Sequence, residues 1–281
     1  MIGINTYAIQ NAIRRSESAV QTSMLRLSTG KRINSAKDDP AGLAIATRME
    51  SDIVGMRQAV RNAQDGISRA QTAEGMINEV TNMAQRIREL ALQSASGTYT
   101  DNDRKMMDAE VQELKAQIFD TLGQGQFNGV PLFDTAAAGS GPGTPGTPGY
   151  GTVTLLQIGA QAGDTVSATT GNLDLTTLAA LSVATKAGAN AALGTVDDFV
   201  KNTNTVRAGL GATQSRLEST INLLNTNIVN LSDAQSRIMD VDYAAESVSL
   251  AKAQITLQAG MAMLVQANQM RKAMIKALLD V

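Results

Sequence analysis

The sequence predicts a mainly α-helical protein: an elongated coiled-coil or helical-bundle rod with a small β-hairpin region and with its N- and C-terminal helices paired. Three observations support this fold. Apolar residues recur at spacings of three and four towards both ends, the pattern changes to alternation near the middle, and only 3% of the 281 residues are aromatic. Because so few aromatic side chains favour thin seams over a thick core, the apolar content suits helical rods.

The first helix carries a narrow apolar stripe, which is typical of a coiled-coil seam rather than of a broad globular face. The stripe steps alternately by four and three residues, and two of its positions are serines. Gly30 and the pair Asn34-Ser35 then interrupt the helical pattern. The seam positions are Ile9, Ile13, Ser16, Val20, Ser23 and Leu27.

A second, long helix is predicted to begin at Pro40, because Asp39 is a good capping residue and proline fits the first helical position. Apolar residues continue at helical spacing for about fifty residues, so the helix would be about 75 Å long. Thr100, followed three residues later by Asp103, resembles a capping box and predicts a third helix over about 101–122.

The central part of the chain changes to a period of two. Segments 127–133 and 152–158 each predict a short strand, and 165–170 predicts a further β-like piece. Between the first two lies a Gly/Pro-rich tip, 139–151, which cannot form a core. The Thr/Ala-rich segment 171–196 gives no clear assignment.

The helical period returns at Phe199 and continues into a final helix over about 246–279. Leucines spaced by seven mark the first of these helices: Leu210, Leu217, Leu224 and Leu231. This repeat fits either an intramolecular core or contacts between copies. The final helix carries Leu250, Leu257, Met261, Leu264, Ile275 and Leu278.

Composition excludes several kinds of chemistry. The chain contains no Cys and no His, which removes nucleophilic cysteines, histidine bases, Cys/His zinc sites and disulfides. No carboxylates are clustered at calcium-loop spacing. We therefore predict no enzymatic activity, no metal and no cofactor. The net charge of −2 gives no reason to propose a nucleic-acid partner.

The sequence predicts neither a Sec signal peptide nor a membrane-spanning segment. The start of the chain has no apolar core before Arg14-Arg15, so no Sec signal peptide is predicted. No run of about 18 apolar residues is evident, so no membrane insertion is expected. The chain would be soluble or would leave the cell without a cleaved leader.

The terminal helices predict self-assembly. Their stripes are rich in Ala, Ser and Gln and bury too little apolar surface to offset the entropy of ordering alone. We therefore expect both helices to be disordered in the free subunit and to become ordered when they pack with other copies. The predicted assembly residues are the apolar positions of the two terminal stripes: Ile9, Ile13, Val20, Leu27, Leu250, Leu257, Met261, Leu264, Ile275 and Leu278.

Both ends of the sequence resemble bacterial flagellin, the flagellar filament subunit, here in a short form. The matching segments cover roughly two-thirds of the chain, in the regions 2–135 and 199–270. They occur in two ordered blocks, which makes a chance similarity implausible. The segments are LRLSTGKRINSAKDDPAGLAIA (25–46), RNAQDGI (61–67), QRIRELALQSA (85–95), QFNG (126–129), LGATQSRL (210–217), SRIMDVDYAAE (236–246) and QANQ (266–269).

The resemblance implies an extracellular filament subunit that is exported unfolded by the flagellar type III apparatus and polymerises under a cap. It implies an inner tube of terminal helices and an outer tube of long helices, with nearly absent outer domains. The implied partners are other copies, an export chaperone, the filament cap and hook-junction proteins. The implied segments are 1–42 (inner-tube helix and connector), 43–133 (outer-tube helices and the start of the hairpin), 134–198 (short variable region), 199–243 (outer-tube helix) and 244–281 (inner-tube helix).

Two further sites follow from the resemblance. Lys37, Asp38 and Asp39 would connect the inner and outer tubes, although a solvated loop with a helix cap explains them equally simply. The animal flagellin-sensing Toll-like receptor would contact a site similar to Arg86, Leu90, Gln93 and Glu110, of which three are also ordinary exposed helix residues.

Other functions compete with the filament subunit. A hook–filament junction protein shares flagellin-like ends but forms only one ring, and the dense matches at 61–67 and 85–95 favour flagellin. An enzyme-bearing flagellin has only the short variable region in which to place a catalytic domain. Gly123 and Gly125 follow a helix rather than a strand, so they indicate a helix end and not a nucleotide loop.

Overall fold

The computed structural model describes residues 2–133, 153–159, 161–170, 173 and 175–279, and among these the side chains of 2–6, 274 and 277–279 are excepted. The Gly/Pro-rich tip predicted at 139–151 lies outside the described residues, as does the side chain of Leu278.

Helices dominate the described residues, and the predicted mainly α-helical class with a small β region is confirmed. The helices are α1 (Ile2–Thr29), α2 (Pro40–Ala95), α3 (Asp101–Gln124), α4 (Thr176–Ala179), α5 (Lys186–Met239) and α6 (Tyr243–Leu279). The strands are β1 (Gln126–Phe127), β2 (Val130–Pro131), β3 (Val153–Gln157) and β4 (Thr165–Thr169).

The chain divides into two compact units. One consists of Met1–Ile53 with Val229–Val281, and the other is Val54–Ile228. The first unit contains the paired terminal helices α1 and α6, which the sequence predicted as a pair. The second contains α3, α4 and the four strands.

Both predicted helix starts are present. Helix α2 begins at Pro40, and the Asp39 carboxylate accepts a hydrogen bond from the Gly42 backbone N–H at 2.8 Å. At the start of α3, the Thr100 hydroxyl oxygen accepts from the Asp103 N–H, and the Asp103 carboxylate accepts from the Thr100 N–H at 2.9 Å. These caps satisfy backbone donors that have no partner within the helix.

The core of the second unit is formed mainly by aliphatic side chains of α2, α3 and α5, joined by Leu132, Phe133 and apolar residues of 173–183. Leu210, Leu217 and Leu224 of the leucine repeat are all buried within a single copy, and Leu210 is part of this core. Of the two readings that the sequence left open, the structure therefore supports the intramolecular core for these three leucines. The largest fully buried side chains of this core include Ile77, Ile87, Ile118, Leu122, Leu132 and Phe133.

Polar side chains of α3 hold a segment that the sequence left unassigned. The buried Lys115 ammonium donates to the carbonyl oxygens of Ala179 and Leu181, at 2.8 and 2.7 Å. Two turns earlier on α3, the Asp108 carboxylate accepts a hydrogen bond from the Val183 backbone N–H at 2.6 Å. Burial lowers the pKa of Lys115. Local sequence propensity does not predict these hydrogen bonds, because they join residues far apart in the chain.

The strands differ in one respect from the prediction. Segment 127–133 was expected to be one strand, but its residues form a tight hairpin in which β1 pairs antiparallel with β2. The turn is Asn128-Gly129, with positive φ values of 51° and 76°. An Asn-Gly pair is a strong turn signal, so the turn outweighs the alternating pattern. The strand predictions at 152–158 and 165–170 are confirmed as β3 and β4, which pair antiparallel.

Within the second unit, the β3–β4 hairpin packs on α2 through a close approach at Gly66. A side chain at this position would overlap Leu156, and its Cβ would lie 3.1 Å from Leu217. Leu156 and the buried Val166 join Ala63 and Leu217 in a small apolar cluster. The absence of a side chain at Gly66 therefore lets the hairpin lie against α2.

Helix α5 begins at Lys186, inside the region 134–198 that the sequence assigned to a short variable β/loop region. Its first turns bury Ala189, Ala192 and Val196, which have helical spacing but lie in an alanine-rich segment with few large apolar residues. Tertiary burial thus extends the helix beyond the part that its apolar pattern marks.

Candidate assembly surface

The terminal helices α1 and α6 run antiparallel and meet along a seam. At one end, a Cβ on Gly30 would lie 3.0 Å from the Tyr243 hydroxyl oxygen; at the other, a Cβ on Gly260 would lie 3.0 Å from Ile13. Residue numbers therefore increase along α1 in the direction in which they decrease along α6. Between these points, an Arg26 nitrogen and a Glu246 carboxylate oxygen lie 3.6 Å apart.

The α1 stripe predicted from sequence is the face that meets α6. Ser16 and Ser23 are its buried positions, and the four apolar residues between and around them are half-buried. The serines are buried because their small side chains allow the helix backbones to approach. The half-buried positions are Ile9, Ile13, Val20 and Leu27.

The facing stripe on α6 steps by four and three residues and alternates leucines with small residues. Leu250, Leu257 and Leu264 lie on it, as the sequence predicted. Met261 and Ile275 were placed in the same stripe but are exposed in a single copy. At Met261 the alternating step passes through the neighbouring Gly260 instead. The residues of the stripe are Glu246, Leu250, Ala253, Leu257, Gly260, Leu264 and Ala267.

The small residues of this stripe were missed. Ala253 and Gly260 are buried at the seam, and Gly260 receives the Ile13 side chain. Strict heptad spacing from Leu250 would have found them, since each small residue lies three positions after a leucine. A search for large apolar residues alone passes over them.

Among the described residues, ten apolar side chains of the helix pair are each at least 47% exposed within one copy. We call this set the outer apolar surface. So many exposed large apolar side chains on one helix pair favour an interaction surface. Its residues are Tyr7, Met24, Leu25, Val248, Ile255, Met261, Met263, Val265, Met270 and Ile275.

Helix α6 also corrects one expectation from the sequence. Its stretch Tyr243–Ala273 is long and apolar enough to cross a membrane by length and composition. The expectation that no such stretch exists was wrong. Uncharged Ser, Thr, Gln and Asn residues interrupt the apolar residues, but the mean hydropathy of the stretch stays high enough for a membrane span. Only 11% of this stretch's most apolar part is buried among the described residues. Most of its surface is therefore open to a partner.

The connector between α1 and α2 is held by backbone and carboxylate hydrogen bonds. The Asp38 carboxylate accepts from the backbone N–H groups of Asn34 and Ser35, at 3.1 and 3.0 Å. These two donors, Asn34 first, hold the pKa of Asp38 below its usual range. Asp39 caps α2, while Lys37 is exposed. Two of the three predicted connector residues thus have defined structural roles.

The segment between α5 and α6 pairs with the start of the connector. Lys31 and Asp240 form an antiparallel β-bridge, and the Val241 N–H donates to the Gly30 carbonyl at 3.0 Å. The Arg32 N–H donates to the Met239 carbonyl at 2.6 Å, and the side chain of Ile33 is buried. The two chain segments that lead to the helix pair are therefore tied together.

Asp38→Asn is expected to weaken the connector at neutral pH and to have little effect in acid. Since the folded pKa of Asp38 is depressed, its stabilisation is fully present above the unfolded pKa of about 3.9 and is lost as pH falls through the folded value. In filaments, where the connector is expected to be ordered, amide hydrogen exchange at Asn34 and Ser35 should therefore be faster in the variant at pH 7. Lys37→Gln, at an exposed neighbour, is the control; equal protection in Asp38→Asn and wild type would contradict the assignment.

Gly42→Ala is expected to lower the free energy of unfolding by about 1–3 kcal/mol, as overpacking typically does. The new Cβ would overlap the Asp39 carboxylate and lie 2.9 Å from Ile33 Cδ1, so the helix cap must move. The matched control is Gly75→Ala on the same helix, where no atom lies within 4 Å and alanine favours the helix. Thermal unfolding should separate the two; equal stability would show that the connector adapts without cost.

A charged cluster on the second unit joins α2 and α3. The Arg86 guanidinium donates to the Glu110 carboxylate from Nε and an Nη, at 3.0 and 2.9 Å, and to Glu89 at 3.0 Å. Glu110, and then Glu89, raise the pKa of Arg86. All three side chains are exposed, so the cluster is open to a partner.

Two further residues were predicted to lie beside this cluster. Gln93 is exposed and its amide donates to the Tyr99 hydroxyl at 3.1 Å. Leu90, by contrast, is only 3% exposed and packs in the core. Leu90 therefore faces the core of this unit, because the inward face of α2 passes through it, and its part in receptor contact stays a prediction.

The two ends of the chain match known family descriptions. Residues 4–138 match the bacterial flagellin N-terminal helical region, and residues 193–278 match the bacterial flagellin C-terminal helical region. This chain belongs to the bacterial flagellin family.

Full-length relatives agree with this assignment. The chain is 40% identical over 280 residues to the flagellar filament 33 kDa core protein of Treponema phagedenis, covering 96% of each protein. It is 39% identical to flagellin of Halalkalibacterium halodurans, covering 92% of this chain and 91% of the relative. The flagellin family is therefore represented along nearly the whole length.

A solved structure shows a similar fold. A protein from Vibrio parahaemolyticus, described as a flagellar hook-associated protein, has a TM-score of 0.58 and 20% identity, covering 72% of this chain and 100% of that protein. At this identity the likeness concerns the fold alone. Among the described residues no group of three Asp or Glu side chains is arranged to hold a metal ion.

Proposed function

We propose that this flagellin-family chain is a structural subunit that polymerises into the bacterial flagellar filament and so serves motility. One observation carries the proposal: α1 and α6 pack on each other through a narrow seam, and among the described residues the side chains of the outer apolar surface stay at least 47% exposed in a single copy. Neighbouring helix pairs in a filament would cover that surface.

The energetics favour such burial. Burying a large apolar side chain contributes about 1.5–3 kcal/mol, whereas bringing two molecules together costs roughly 4–15 kcal/mol. Covering several residues of the outer apolar surface is enough to offset that cost. Each subunit in a helical polymer meets more than one neighbour, which adds further burial for every copy added.

The seam between α1 and α6 is too thin to hold the pair by itself. Its centre consists of Ser16, Ser23, Ala253 and Gly260, which bury little apolar area. We infer that the terminal helices are disordered in the free subunit and ordered in the filament, where the seam and the outer apolar surface are satisfied together. Folding and assembly of these helices would then be one coupled step.

The arrangement supports the tube assignment. Segments 1–42 and 244–281 would line the inner tube, 43–133 and 199–243 would form the outer tube, and 134–198 would be a short variable region. Lys37, Asp38 and Asp39 would lie between the tubes. Copies of the chain, rather than a lipid bilayer, would cover α6. A disordered terminus also suits export through a narrow channel without a cleaved signal peptide.

The remaining partners follow from family membership. We infer an export chaperone, the filament cap and hook-junction proteins as partners, an extracellular location, and no enzymatic activity or cofactor. Recognition by the animal flagellin-sensing Toll-like receptor would use Arg86, Gln93 and Glu110, which are exposed, whereas the buried Leu90 would support the helix from inside.

Polymerisation of the purified chain tests the proposal. The filament subunit is expected to grow micrometre filaments on seeds, seen by electron microscopy, whereas a hook–filament junction protein would stop at rings or short oligomers. Hydrogen exchange should show residues 1–40 and 246–281 unprotected in the free subunit and protected in filaments. Failure to polymerise would overturn the filament assignment, and rigid termini in dilute solution would overturn the coupled ordering.

A further inference from the structure

Four methionines lie on the outer apolar surface. Met24 is on α1, and Met261, Met263 and Met270 are on α6, with exposed fractions of 47–58%. Met263 and Met270 are seven residues apart and therefore share a helix face. Because the chain has no cysteine, thioether sulfur is its most readily oxidised side-chain group.

We infer that exposed methionines of the two terminal helices, Met24, Met261, Met263 and Met270, make assembly sensitive to oxidation. Oxidation of the free subunit by hydrogen peroxide would block the packing of copies, and enzymatic reduction would restore it. The inference rests on the proposed function, since it concerns the same surface. It adds a regulatory chemistry that filament formation by itself does not require.

The reaction is a single oxygen transfer. A lone pair of the methionine sulfur attacks one peroxide oxygen, an S–O bond forms and the O–O bond breaks. The departing oxygen keeps the electron pair and takes the proton of the attacked hydroxyl group, leaving as water. Sulfur is oxidised by two electrons to the sulfoxide, and peroxide is reduced by two electrons to water.

The sulfoxide opposes assembly because it places a strong hydrogen-bond acceptor on a surface that must lose its water. The apolar neighbours on α6, which include Val248, Ile255 and Val265, offer no side-chain donor. A buried acceptor without a partner is costly. In the free subunit the same group remains hydrated, so oxidation affects assembly rather than the fold of the second unit.

The chain contains its own internal comparison. Met106 on α3 is 65% exposed but belongs to the other unit. Met107 is buried, and Met76 and Met83 are partly buried in the core. Peroxide should therefore oxidise Met106 about as readily as the four surface methionines, and the three core methionines more slowly.

The test compares the full chain with a variant in which Met24, Met261, Met263 and Met270 are replaced by Leu, an apolar residue of similar volume that peroxide does not oxidise. Free subunits are treated with hydrogen peroxide, peptide mass spectrometry locates the added oxygens, and the critical concentration for polymerisation is measured. Oxidation should raise the wild-type critical concentration at least about tenfold and leave that of the quadruple variant unchanged.

Two further measurements distinguish oxidation of these four methionines from general oxidative damage to the chain. Met106→Leu should lose polymerisation on oxidation as the wild type does. Methionine sulfoxide reductases A and B, supplied together with a thiol reductant, should restore polymerisation of oxidised wild type. This arm decides the question even if the untreated quadruple variant assembles poorly.

The outcomes are distinguishable. Unchanged polymerisation of fully oxidised wild type, no recovery after reduction of the sulfoxides, or an equal loss in the quadruple variant would each overturn the inference while leaving the filament assignment intact. Failure of the untreated wild type to polymerise would instead overturn the proposed function on which the inference rests.

Discussion

Deleting residues 260–281 is expected to leave a soluble subunit that forms no filaments, even at concentrations about a hundredfold above those at which the wild type polymerises. The deletion removes Gly260 and Leu264 from the seam, and Gly260 is the position that receives Ile13 of α1. It also removes half of the outer apolar surface: Met261, Met263, Val265, Met270 and Ile275. Both the pairing of the termini and the contacts between copies would be lost.

Sedimentation and electron microscopy would measure this effect, and circular dichroism would check that the second unit remains folded. The control is a deletion of residues 141–149, within the Gly/Pro-rich tip, which contributes no predicted seam position. This variant should polymerise. Robust filaments from the 260–281 truncation would show that the C-terminal part of α6 is not needed for assembly.

Ile255→Asp is expected to abolish filaments while leaving the helicity of the free subunit nearly unchanged. Ile255 is 66% exposed in a single copy, so its replacement removes little that stabilises one subunit. In a filament the new carboxylate would have to be buried or left at the interface, and an uncompensated buried charge costs about 3–5 kcal/mol. A loss of that size corresponds to at least a hundredfold in affinity.

The comparison with Leu264→Asp makes the test more specific. Leu264 is half-buried on the stripe that faces α1, so it belongs to the seam, whereas Ile255 belongs to the outer apolar surface. Both changes should prevent assembly, and Ile255→Leu should permit it. If Leu264→Asp alone lowers the helicity of the free subunit, the terminal helices are already paired before assembly. Normal filaments from Ile255→Asp would remove the outer apolar surface from the interface.

Local sequence patterns determined a large part of this protein. The alternating step of four and three residues located the α1 face that meets α6, including the two serines. The caps at Asp39 and Thr100 are present because they depend on residues only three positions apart. The flagellin resemblance also arises from contiguous segments at both ends, and it is confirmed along nearly the whole chain.

Tertiary structure decided the features that depend on distant partners. Lys115 and Asp108 hold residues 179–183, which local propensity did not assign. Leu90 lies in the core, although its helix is otherwise rich in exposed residues, because burial depends on which neighbours α2 meets. Met261 is a large apolar residue next to the seam, yet Gly260 occupies the seam itself. Sequence periodicity locates a buried helix face only to within one residue. Which of two neighbouring residues is buried depends on the side chains of the helix packed against it.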